Sequence, residues 1–402
     1  MTRWLGIVGI GEDGPAGLSP AARTLIDTAE TLVGGARQLA MVPAGAAERL
    51  EWRRPLAATI ADIAARRGRR VTVLATGDPL WYGVGVVLTR HFANAEMTIL
   101  PRSSAFSLAA AQLGWALAEC ATLTLHGRPL DSLRLHLAPR RRLLILSENH
   151  ATPVRVAELL ADAGWGPSRM TVFAHLGGAQ ESVQCGSAAE WGGRPSVDLN
   201  TIAVECRAAS GTRALSHLAG LPDDAFEHDG QLTKRDVRAA TLARLAPLPG
   251  ERLWDIGAGS GSIAIEWLRA VPHGAAYAVE RTPSRAATIA RNAAALGVPA
   301  LQIVAAAAPA ALVGLPTPDA IFIGGGLADA RLLPALWSAL RPGGRLVANV
   351  ISSEGERALL DWQAAQGGEL SRIAVSRSEA LAGHHVWRPS IAVTQLAATK
   401  PG

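Results

Sequence analysis

Three glycines at alternate positions, Gly257, Gly259 and Gly261, follow an apolar run that ends at Ile256. Such a loop lets backbone N–H groups approach a bound ligand, and an acidic residue about 20 positions further on can bind ribose hydroxyls. Glu280 stands near that distance, at the end of the next apolar run. The pattern therefore predicts a site for an adenosine-containing ligand, either a dinucleotide or S-adenosylmethionine.

The segment 340–347, Leu-Arg-Pro-Gly-Gly-Arg-Leu-Val, favours S-adenosylmethionine. A helix, a Pro-Gly-Gly turn and a late strand in this order resemble class I methyltransferases, so we interpret the second half of the chain as a methyltransferase. A helix beginning near Ser262 would point its N-terminus at the ligand. Its dipole contributes about 0.3–1 kcal/mol to binding of a carboxylate, which is too little to carry catalysis.

A second glycine motif, Gly-Ile-Gly-Glu-Asp-Gly at 9–14, follows a predicted strand in the first half. In a dinucleotide fold the helix opens inside the motif, whereas here the helix signal waits until Ser19, and the next strand ends at Gly35 without an acid. A nicotinamide cofactor is therefore not expected here. The loop 76–83, Thr-Gly-Asp-Pro-Leu-Trp-Tyr-Gly, is a second backbone-exposing turn, and the two loops predict a cleft.

Alternating strands and helices must position these loops. The first ~205 residues read as a largely parallel α/β unit. Its clearest predicted helices span 20–29 and 105–113. Short apolar or β-branched runs predict five strands, at 4–10, 71–75, 97–100, 143–147 and 201–205.

The alternation of predicted strands and helices ends between residues 208 and 224, where Ala, Ser, Gly, Pro and Asp predominate. We interpret this segment as a linker between domains 1–207 and 225–402. A new helix begins near Thr233, and the order that follows is that of a class I methyltransferase. Its predicted strands are 253–256, 275–280, 301–305, 320–323 and 345–350, with two more near 373 and 391; its predicted helices are 262–270, 283–296, 332–340 and 354–366.

Bulk composition limits the function classes. A chain of 402 residues suits two to three domains of about 100–200 residues, and 49% hydrophobic residues can fill their cores. No apolar run reaches the roughly 18 residues of a membrane span, and the start lacks a signal peptide, so we expect a cytoplasmic protein without membrane contact. The three cysteines are too few and too far apart to predict a disulfide framework or a metal site.

The net charge of +5 comes almost entirely from arginine, because the chain contains only two lysines. Arginine excess is compatible with a polycarboxylate substrate, with RNA, or with a solvated surface. For a single cluster such as residues 140–142 we favour the solvated surface.

Several short motifs together make the resemblance specific. In the first half these are Val-Gly-Ile-Gly at 8–11, Gly-Asp-Pro at 77–79 with Tyr82-Gly83, Pro-Arg-Ser-Ser at 101–104 and His-Gly-Arg at 126–128. This set resembles the tetrapyrrole (class III) methyltransferase family of corrin biosynthesis. In the second half, 228–234, 254–262 and 265–267 are similar to the methyltransferase and decarboxylase that partners it.

The resemblance covers nearly the whole chain and implies a fold class and an activity. The fold would be α/β, with an N-terminal tetrapyrrole methylase (class III) fold and a C-terminal Rossmann-like class I S-adenosylmethionine-dependent methyltransferase. The activity would be methylation of a precorrin at C5 by the first domain, and methylation at C15 with loss of the ring C acetate carboxyl by the second, yielding precorrin-8X for cobalamin. Relatives further suggest a homo-oligomer acting on a small-molecule tetrapyrrole.

By the same resemblance, each domain has one S-adenosylmethionine site. Relatives commonly have a polar Gly-Asp-Ala-Pro turn where this chain has Ala-Ala-Ala-Pro at 306–309, so adenine contacts there would be limited to the backbone. The residues carried over are Gly9, Gly11, Gly77, Asp78, Ser103 and Ser104 in the first site, and Thr233, Asp255, Gly257, Ala258, Gly259, Ser260, Gly261, Glu280, Ala307 and Ala308 in the second.

The sequence offers fewer candidates for catalytic residues than for cofactor-binding residues. His228, Lys234 and His384 are candidates for an acid or a carboxylate-binding group, although a histidine is more often structural. Arg128 and Arg388 are candidates for binding substrate carboxylates, with ordinary surface arginines as the equal alternative. No metal site is predicted.

Two other functions stay open at this point. RNA methylation is a rival, because both folds also occur in RNA-modifying enzymes and the chain is basic. Nucleic-acid sites favour basic patches interleaved with aromatic residues, which this sequence lacks, so we expect no nucleic-acid partner. Alternatively, one domain would bind cofactor only as a regulator or an assembly platform.

Overall fold

The computed structural model describes residues 3–402, which divide into two compact units. The first unit comprises 3–128 and 138–213, and the second comprises 129–137 and 214–402. The division at 213/214 falls within the expected linker. Segment 129–137, which the sequence had assigned to the first domain, instead packs with the second unit. Gly297 permits this packing, because a Cβ there would lie 2.4 Å from the Leu135 nitrogen.

The first unit begins with a five-stranded sheet in which all neighbouring strands are parallel, in the order β3-β2-β4-β1-β5. The strands are β1 (Leu5–Ile10), β2 (Thr31–Gly34), β3 (Glu48–Glu51), β4 (Val71–Thr76) and β5 (Met97–Leu100). The helices between them are α1 (Pro20–Asp27), α2 (Ala36–Met41), α3 (Leu56–Ala65) and α4 (Gly85–Leu88). The carboxyl ends of β4, β1 and β5 lie side by side.

The second sheet of this unit has the order β6-β7-β10-β8-β9, and only β6 and β7 are parallel. The prediction of a largely parallel unit is correct for the first sheet and wrong for this one. A short apolar run reads the same in a parallel and an antiparallel strand, so the sequence could not separate them. The elements are β6 (Cys120–Thr124), β7 (Arg142–Leu146), β8 (Arg169–Ala174), β9 (Ser182–Ser187), β10 (Asn200–Glu205), α5 (Ala105–Leu113) and α6 (Thr152–Asp162).

The second unit is built on one seven-stranded sheet in the order β13-β12-β11-β14-β15-β19-β16, in which β19 runs in the direction opposite to the other six strands. Its seven strands are β11 (Arg252–Ile256), β12 (Ala275–Val279), β13 (Gln302–Val304), β14 (Ala320–Ile323), β15 (Arg345–Val350), β16 (Glu369–Ile373) and β19 (Val393–Thr399). Two further strands, β17 (Ser376–Leu381) and β18 (His384–Pro389), lie outside this sheet. The helices are α7 (Arg235–Leu245), α8 (Ser262–Ala270), α9 (Pro283–Ala295), α10 (Leu332–Ala339) and α11 (Ser353–Gln366).

The end of the chain differs from the prediction. Two closing strands were expected near 373 and 391, whereas four are present, because β17 and β18 form a separate hairpin between β16 and β19. Both hairpin strands are largely exposed. A polar, exposed hairpin carries no apolar period, so nothing in the local pattern marks it. Among residues 3–402, no helix is both long enough and apolar enough to cross a membrane.

A buried ion pair organises the start of the second unit. Arg238 on α7 is fully buried and its Nε donates to the Glu266 carboxylate on α8 at 2.6 Å. Glu266 also accepts from the backbone nitrogens of Gly220 and Leu221, at 2.6 and 2.9 Å. The remaining Arg238 donors reach the Leu221 carbonyl, the Thr233 carbonyl and Asp223. The pair therefore attaches the segment 220–233 to α7 and α8.

We expect Glu266→Gln to destabilise the second unit by about 3 kcal/mol, because the substitution removes the buried carboxylate nearest to Arg238 and leaves only the partly exposed Asp223 to compensate its charge. Hydrogen exchange of the α7 and α8 amides would measure the loss. The control is Glu369→Gln, which breaks an exposed pair with Arg244 and should change stability by about 1 kcal/mol or less. Equal effects of the two substitutions would contradict the organising role of Arg238.

Candidate cofactor and substrate sites

Three loops meet at the carboxyl edge of the first sheet, one after each of β1, β4 and β5. A Cβ on Gly9 would lie 2.0 Å from the Gly77 carbonyl oxygen and 2.8 Å from the Arg102 nitrogen. Gly77 donates to the Ile10 carbonyl at 3.1 Å and accepts from Arg102 at 3.2 Å. A glycine at position 9 is thus what allows the three loops to touch.

Beside these loops lies a cavity of about 290 Å³. Asp78 and Ser104 line it, as do Thr76 and the aromatic rings of Trp81 and Phe106. The other predicted residues of this site, Gly9, Gly11, Gly77 and Ser103, belong to the surrounding loops and not to the lining. The Asp78 carboxylate accepts from Leu80 N at 2.8 Å, and Ser104 caps α5 by accepting from Ser107 N at 3.2 Å.

Tyr82 connects this cavity to a predicted arginine. Its ring lines the cavity, and the Arg128 guanidinium carbon lies 5.4 Å from the ring centroid. The Tyr82 hydroxyl donates to the Thr122 carbonyl at 2.8 Å, and its backbone has a φ of +58°, which is rare for a residue other than glycine. The structure thus places Arg128 next to the wall of the first cavity.

In the second unit the glycine loop follows β11. In the sheet, β11 lies next to β14, and the strand order reverses between these two strands. Ligands of open α/β sheets bind at this crevice. Gly257 has a φ of +69°, and a Cβ there would lie 3.1 Å from the Gly325 nitrogen. Gly257 and Ala258 both donate to the Val279 carbonyl, at 2.9 and 3.2 Å. These contacts fix the loop and leave the backbone of its glycines accessible to a ligand.

Glu280, directly after β12, is buried against this loop. One of its carboxylate oxygens accepts from Gly259 N at 3.0 Å and the other from Thr282 N at 2.9 Å. Each oxygen keeps lone-pair capacity for a further donor, as binding of ribose hydroxyls requires. The ribose role of Glu280 stays a prediction. The turn with Ala307 and Ala308 follows the neighbouring strand β13 and does not line the cavity described below.

Asp255 has a supporting position. Its carboxylate is almost fully buried and accepts from Ala264 N, in the first turn of α8, at 3.1 Å. Burial raises the pKa of Asp255 to about 7, the nearby Glu280 charge adds to the rise, and the Ala264 hydrogen bond opposes it. Asp255 does not line the cavity, so the structure gives it the task of holding α8 below the loop.

The second unit contains a cavity of about 800 Å³, within the range of small-molecule sites. Gly257, Ala258 and Gly259 form part of its wall, and Thr233 and Lys234 another part. The glycine backbone in this wall allows the close approach of a ligand that carries ribose and amino groups. The buried oxygens of Asp255 and Ser260 that lack a hydrogen-bond partner within residues 3–402 do not belong to the lining. Ser260, Gly261 and Glu280 support the loop without lining the cavity.

Of the three candidate catalytic residues, only Lys234 lines this cavity. His228 is exposed and its Nδ1 accepts from Gly230 N at 3.1 Å. His384 is exposed on β18. Arg388, on the same strand, pairs with Glu379 at 3.2 Å and is likewise outside the lining. Within residues 3–402, no three His, Cys, Asp or Glu side chains are arranged to hold a metal ion.

Sequence reasoning missed Asn349 as a site residue. It lines the second cavity, and its amide donates to the Thr241 hydroxyl at 2.8 Å. The Gln395 side-chain amide donates to the side-chain oxygen Oδ1 of Asn349 at 2.9 Å and to the Thr241 hydroxyl at 3.1 Å. This polar network joins α7, β15 and β19. Its members are more than 40 positions apart, so no local pattern could indicate it.

Comparison with known proteins identifies both units. Residues 5–191 match the family of tetrapyrrole (corrin/porphyrin) methylases, and residues 224–400 match the precorrin methyltransferase domain. Together with the two glycine-loop sites, these matches define a tetrapyrrole methyltransferase with two methyltransferase domains.

Similar proteins indicate which group of tetrapyrrole methyltransferases the chain resembles. A precorrin-6Y C5,15-methyltransferase (decarboxylating) of Sinorhizobium sp is 49% identical over 100% of this chain and 97% of its own length. A cobalt-precorrin-7 C5-methyltransferase of Salmonella typhimurium is 34% identical over 44% of this chain and 88% of its own length. A probable cobalt-precorrin-6B C15-methyltransferase (decarboxylating) of Pyrobaculum aerophilum is 34% identical over 42% and 90%.

The chain therefore belongs to the family of decarboxylating precorrin-6Y C5,15-methyltransferases, which are S-adenosylmethionine-dependent enzymes. This confirms the resemblance that the motifs indicated. It also confirms the expected fold class, a tetrapyrrole methylase domain followed by a Rossmann-like methyltransferase domain.

We expect the pKa of Asp255 to make stability depend on pH. When a carboxyl has a higher pKa in the folded than in the unfolded protein, the folded state loses stability as the pH rises from about 4 to about 7. The loss is complete above that range. Asp255→Asn removes this titration and keeps the acceptor for Ala264 N. Urea unfolding at about pH 5 and about pH 8 should therefore give a smaller difference in the variant than in the unmodified chain. Equal differences would contradict the raised pKa.

Proposed function

We propose that this chain methylates precorrin-6Y at C5 and C15 and removes carbon dioxide from the ring C acetate, giving precorrin-8X in cobalamin biosynthesis. The observation that carries the proposal is full-length identity of 49% to a relative named for this reaction. The two partial relatives, named for a C5 and a decarboxylating C15 methylation, each correspond to less than half of the chain. This supports one chain that combines two activities.

We infer that each domain holds its own S-adenosylmethionine, with C5 methylation in the first domain and C15 methylation plus decarboxylation in the second. Two separate cavities, each next to a glycine loop at the carboxyl edge of a sheet, support this division. The first cofactor would lie against Asp78 and Ser104. The second would lie against Gly257 to Gly259, with Glu280 as the acceptor for its ribose and the turn at Ala307 and Ala308 near its adenine.

Positioning is the main contribution of the protein to catalysis. S-adenosylmethionine supplies a methyl group that is already activated for transfer. Alignment of two reactants contributes roughly 7–11 kcal/mol, whereas a general acid or base contributes about 10²–10⁴-fold, or roughly 3–5 kcal/mol. Loops fixed by close backbone contacts, such as those at Gly9 and Gly257, suit this task.

Decarboxylation needs a different environment. A carboxylate that leaves as carbon dioxide is destabilised when water around it is removed, and bound cations must hold the rest of the substrate in place. The electron pair of the broken carbon–carbon bond passes into the conjugated ring system, and a proton then adds to the remaining carbon. The second cavity combines apolar wall residues such as Ile373, Val375 and Ile391 with Lys234. We assign Lys234 to carboxylate binding. His228 and His384 lie outside the lining and receive no role in this step.

The expected working context follows from the substrate class. We propose that the chain acts in the cytoplasm as a homo-oligomer on a small-molecule tetrapyrrole, without a nucleic-acid or membrane partner. Arg128, beside the wall of the first cavity, is the proposed ligand for a peripheral carboxylate in the C5 reaction.

Calorimetric titration of the full chain with S-adenosylmethionine should give two bound molecules per chain. Gly9→Ala and Gly257→Ala should each lower this number to one, because the added methyl meets backbone atoms of the neighbouring loop. The control for Gly257→Ala is Gly314→Ala, which shares its left-handed backbone, at a φ of +84°, but has no atom near the added methyl. A single molecule bound by the unmodified chain would exclude one site per domain.

The reaction itself is tested by mass spectrometry after anaerobic incubation of precorrin-6Y with S-adenosylmethionine. The unmodified chain should add two methyl groups and release carbon dioxide. Gly9→Ala should still release carbon dioxide with one methyl added, whereas Gly257→Ala should release none. Release of carbon dioxide by Gly257→Ala would contradict the assignment of decarboxylation to the second domain.

A further inference from the structure

The second cavity contains an arginine that neither the motifs nor the comparisons assign. Arg377 lies on β17 of the exposed hairpin, and its guanidinium pairs with Asp236 in the first turn of α7. Both side chains line the cavity, together with Lys234 and Glu354. The pair thus joins the hairpin to the start of α7 at the edge of the cavity where Lys234 also lies.

Both cations keep hydrogen-bond donors for a ligand. Arginine has five N–H donors, and within residues 3–402 the Arg377 side chain bonds only to Asp236. Its side chain is 44% exposed, so the other donors are accessible. Lys234 has no carboxylate within ion-pair distance in the described part of the chain. Asp236 pairs with Arg377, and Glu354, the other acid of the lining, is not within ion-pair distance of Lys234 in residues 3–402, so the Lys234 ammonium is available to a ligand.

The surroundings strengthen any anion contact made here. Ile373, Val375 and Ile391, which precede and follow the hairpin in the chain, line the same cavity as Arg377, and Ile351 does so as well. A bulky ligand against these side chains excludes water, and charge-assisted hydrogen bonds are stronger where water is excluded. Planar guanidinium and carboxylate groups also fit each other with two parallel bonds.

We propose that Arg377 and Lys234 form a carboxylate clamp that binds the peripheral acid side chains of the tetrapyrrole in the second domain, with Asp236 as the residue that positions Arg377. The clamp rests on the proposed function for the identity of its substrate. Arg377 takes the place that sequence reasoning gave to Arg388, which lies on the other hairpin strand and pairs with Glu379 outside the lining.

The test compares Arg377→Ala with Arg388→Ala in the full chain. Both substitutions remove one arginine from the same hairpin, but only the first residue lines the cavity. We expect Arg377→Ala to raise the KM for precorrin-6Y in carbon dioxide release by at least about tenfold, with a smaller change in kcat. Arg388→Ala should change KM by less than about twofold. Asp236→Asn should raise KM to an intermediate value, because Arg377 stays present without its anchor.

Equilibrium binding separates the clamp from a general loss of activity. Tetrapyrrole binding is followed by its absorbance, with the free acid and with its methyl ester. The unmodified chain should bind the acid at least about tenfold more tightly than the ester, and Arg377→Ala should lose most of this preference. Affinity for S-adenosylmethionine and thermal stability should be the same in both arginine variants, which confirms that Arg377→Ala is folded.

Each outcome has one meaning. If Arg377→Ala keeps the preference for the acid, or if Arg388→Ala loses it equally, the clamp is wrong. If the unmodified chain binds the tetrapyrrole but neither methylates it nor releases carbon dioxide, the proposed function fails while the clamp is still measured by the acid–ester comparison. If Arg377→Ala is unfolded, the KM and ester preference of Asp236→Asn decide, since an unchanged value there overturns the positioning role.

Discussion

The buried pair of Arg238 and Glu266 is the interaction on which the second unit most depends. Two charges removed from water are tolerated only when their remaining donors and acceptors are also satisfied, and here backbone groups of segment 220–233 complete both. The segment therefore cannot shift without exposing a buried charge to an apolar core. It continues directly to Thr233 and Lys234, and its Gln231 carbonyl lies 3.1 Å from where a Cβ on Gly259 would be. The ion pair of Arg238 and Glu266 thus fixes the distance between Lys234 and the glycine loop.

The two domains solve one problem, close approach of backbone to a cofactor, in different ways. In the first, three loops contact each other through Gly9 and Gly77, and the lining combines aromatic rings with a few polar side chains. In the second, a single loop is held from below by Asp255 and from the side by Glu280. The larger second cavity also contains paired and unpaired charges. A decarboxylating reaction on a polyacid has more need of them than a simple methyl transfer.

Local pattern predicted most of what lies at the centre of each sheet. The bounds of α5, α8, β14 and β15 are as predicted, because buried elements carry complete apolar periods between clear caps. Strands at or near sheet edges, such as β3 and β9, were not singled out. Their side chains are mostly exposed, so their composition resembles that of loops. The same reason hid the hairpin of β17 and β18, and with it one wall of the second cavity.

The sequence by itself determined the two glycine loops, the acid at position 280, the division into two methyltransferase domains and the family to which they belong. These features depend on residues close together in the chain, where spacing alone encodes the chemistry. Only the tertiary structure decided that Lys234 lines the cavity and His228 does not, that Asp255 supports a helix, and that Arg377 rather than Arg388 faces the cavity. Arg377 and Asp236 are 141 positions apart, and a polar contact over that separation leaves no periodic signal in the sequence. It exists only once the folded chain brings the hairpin next to the start of α7.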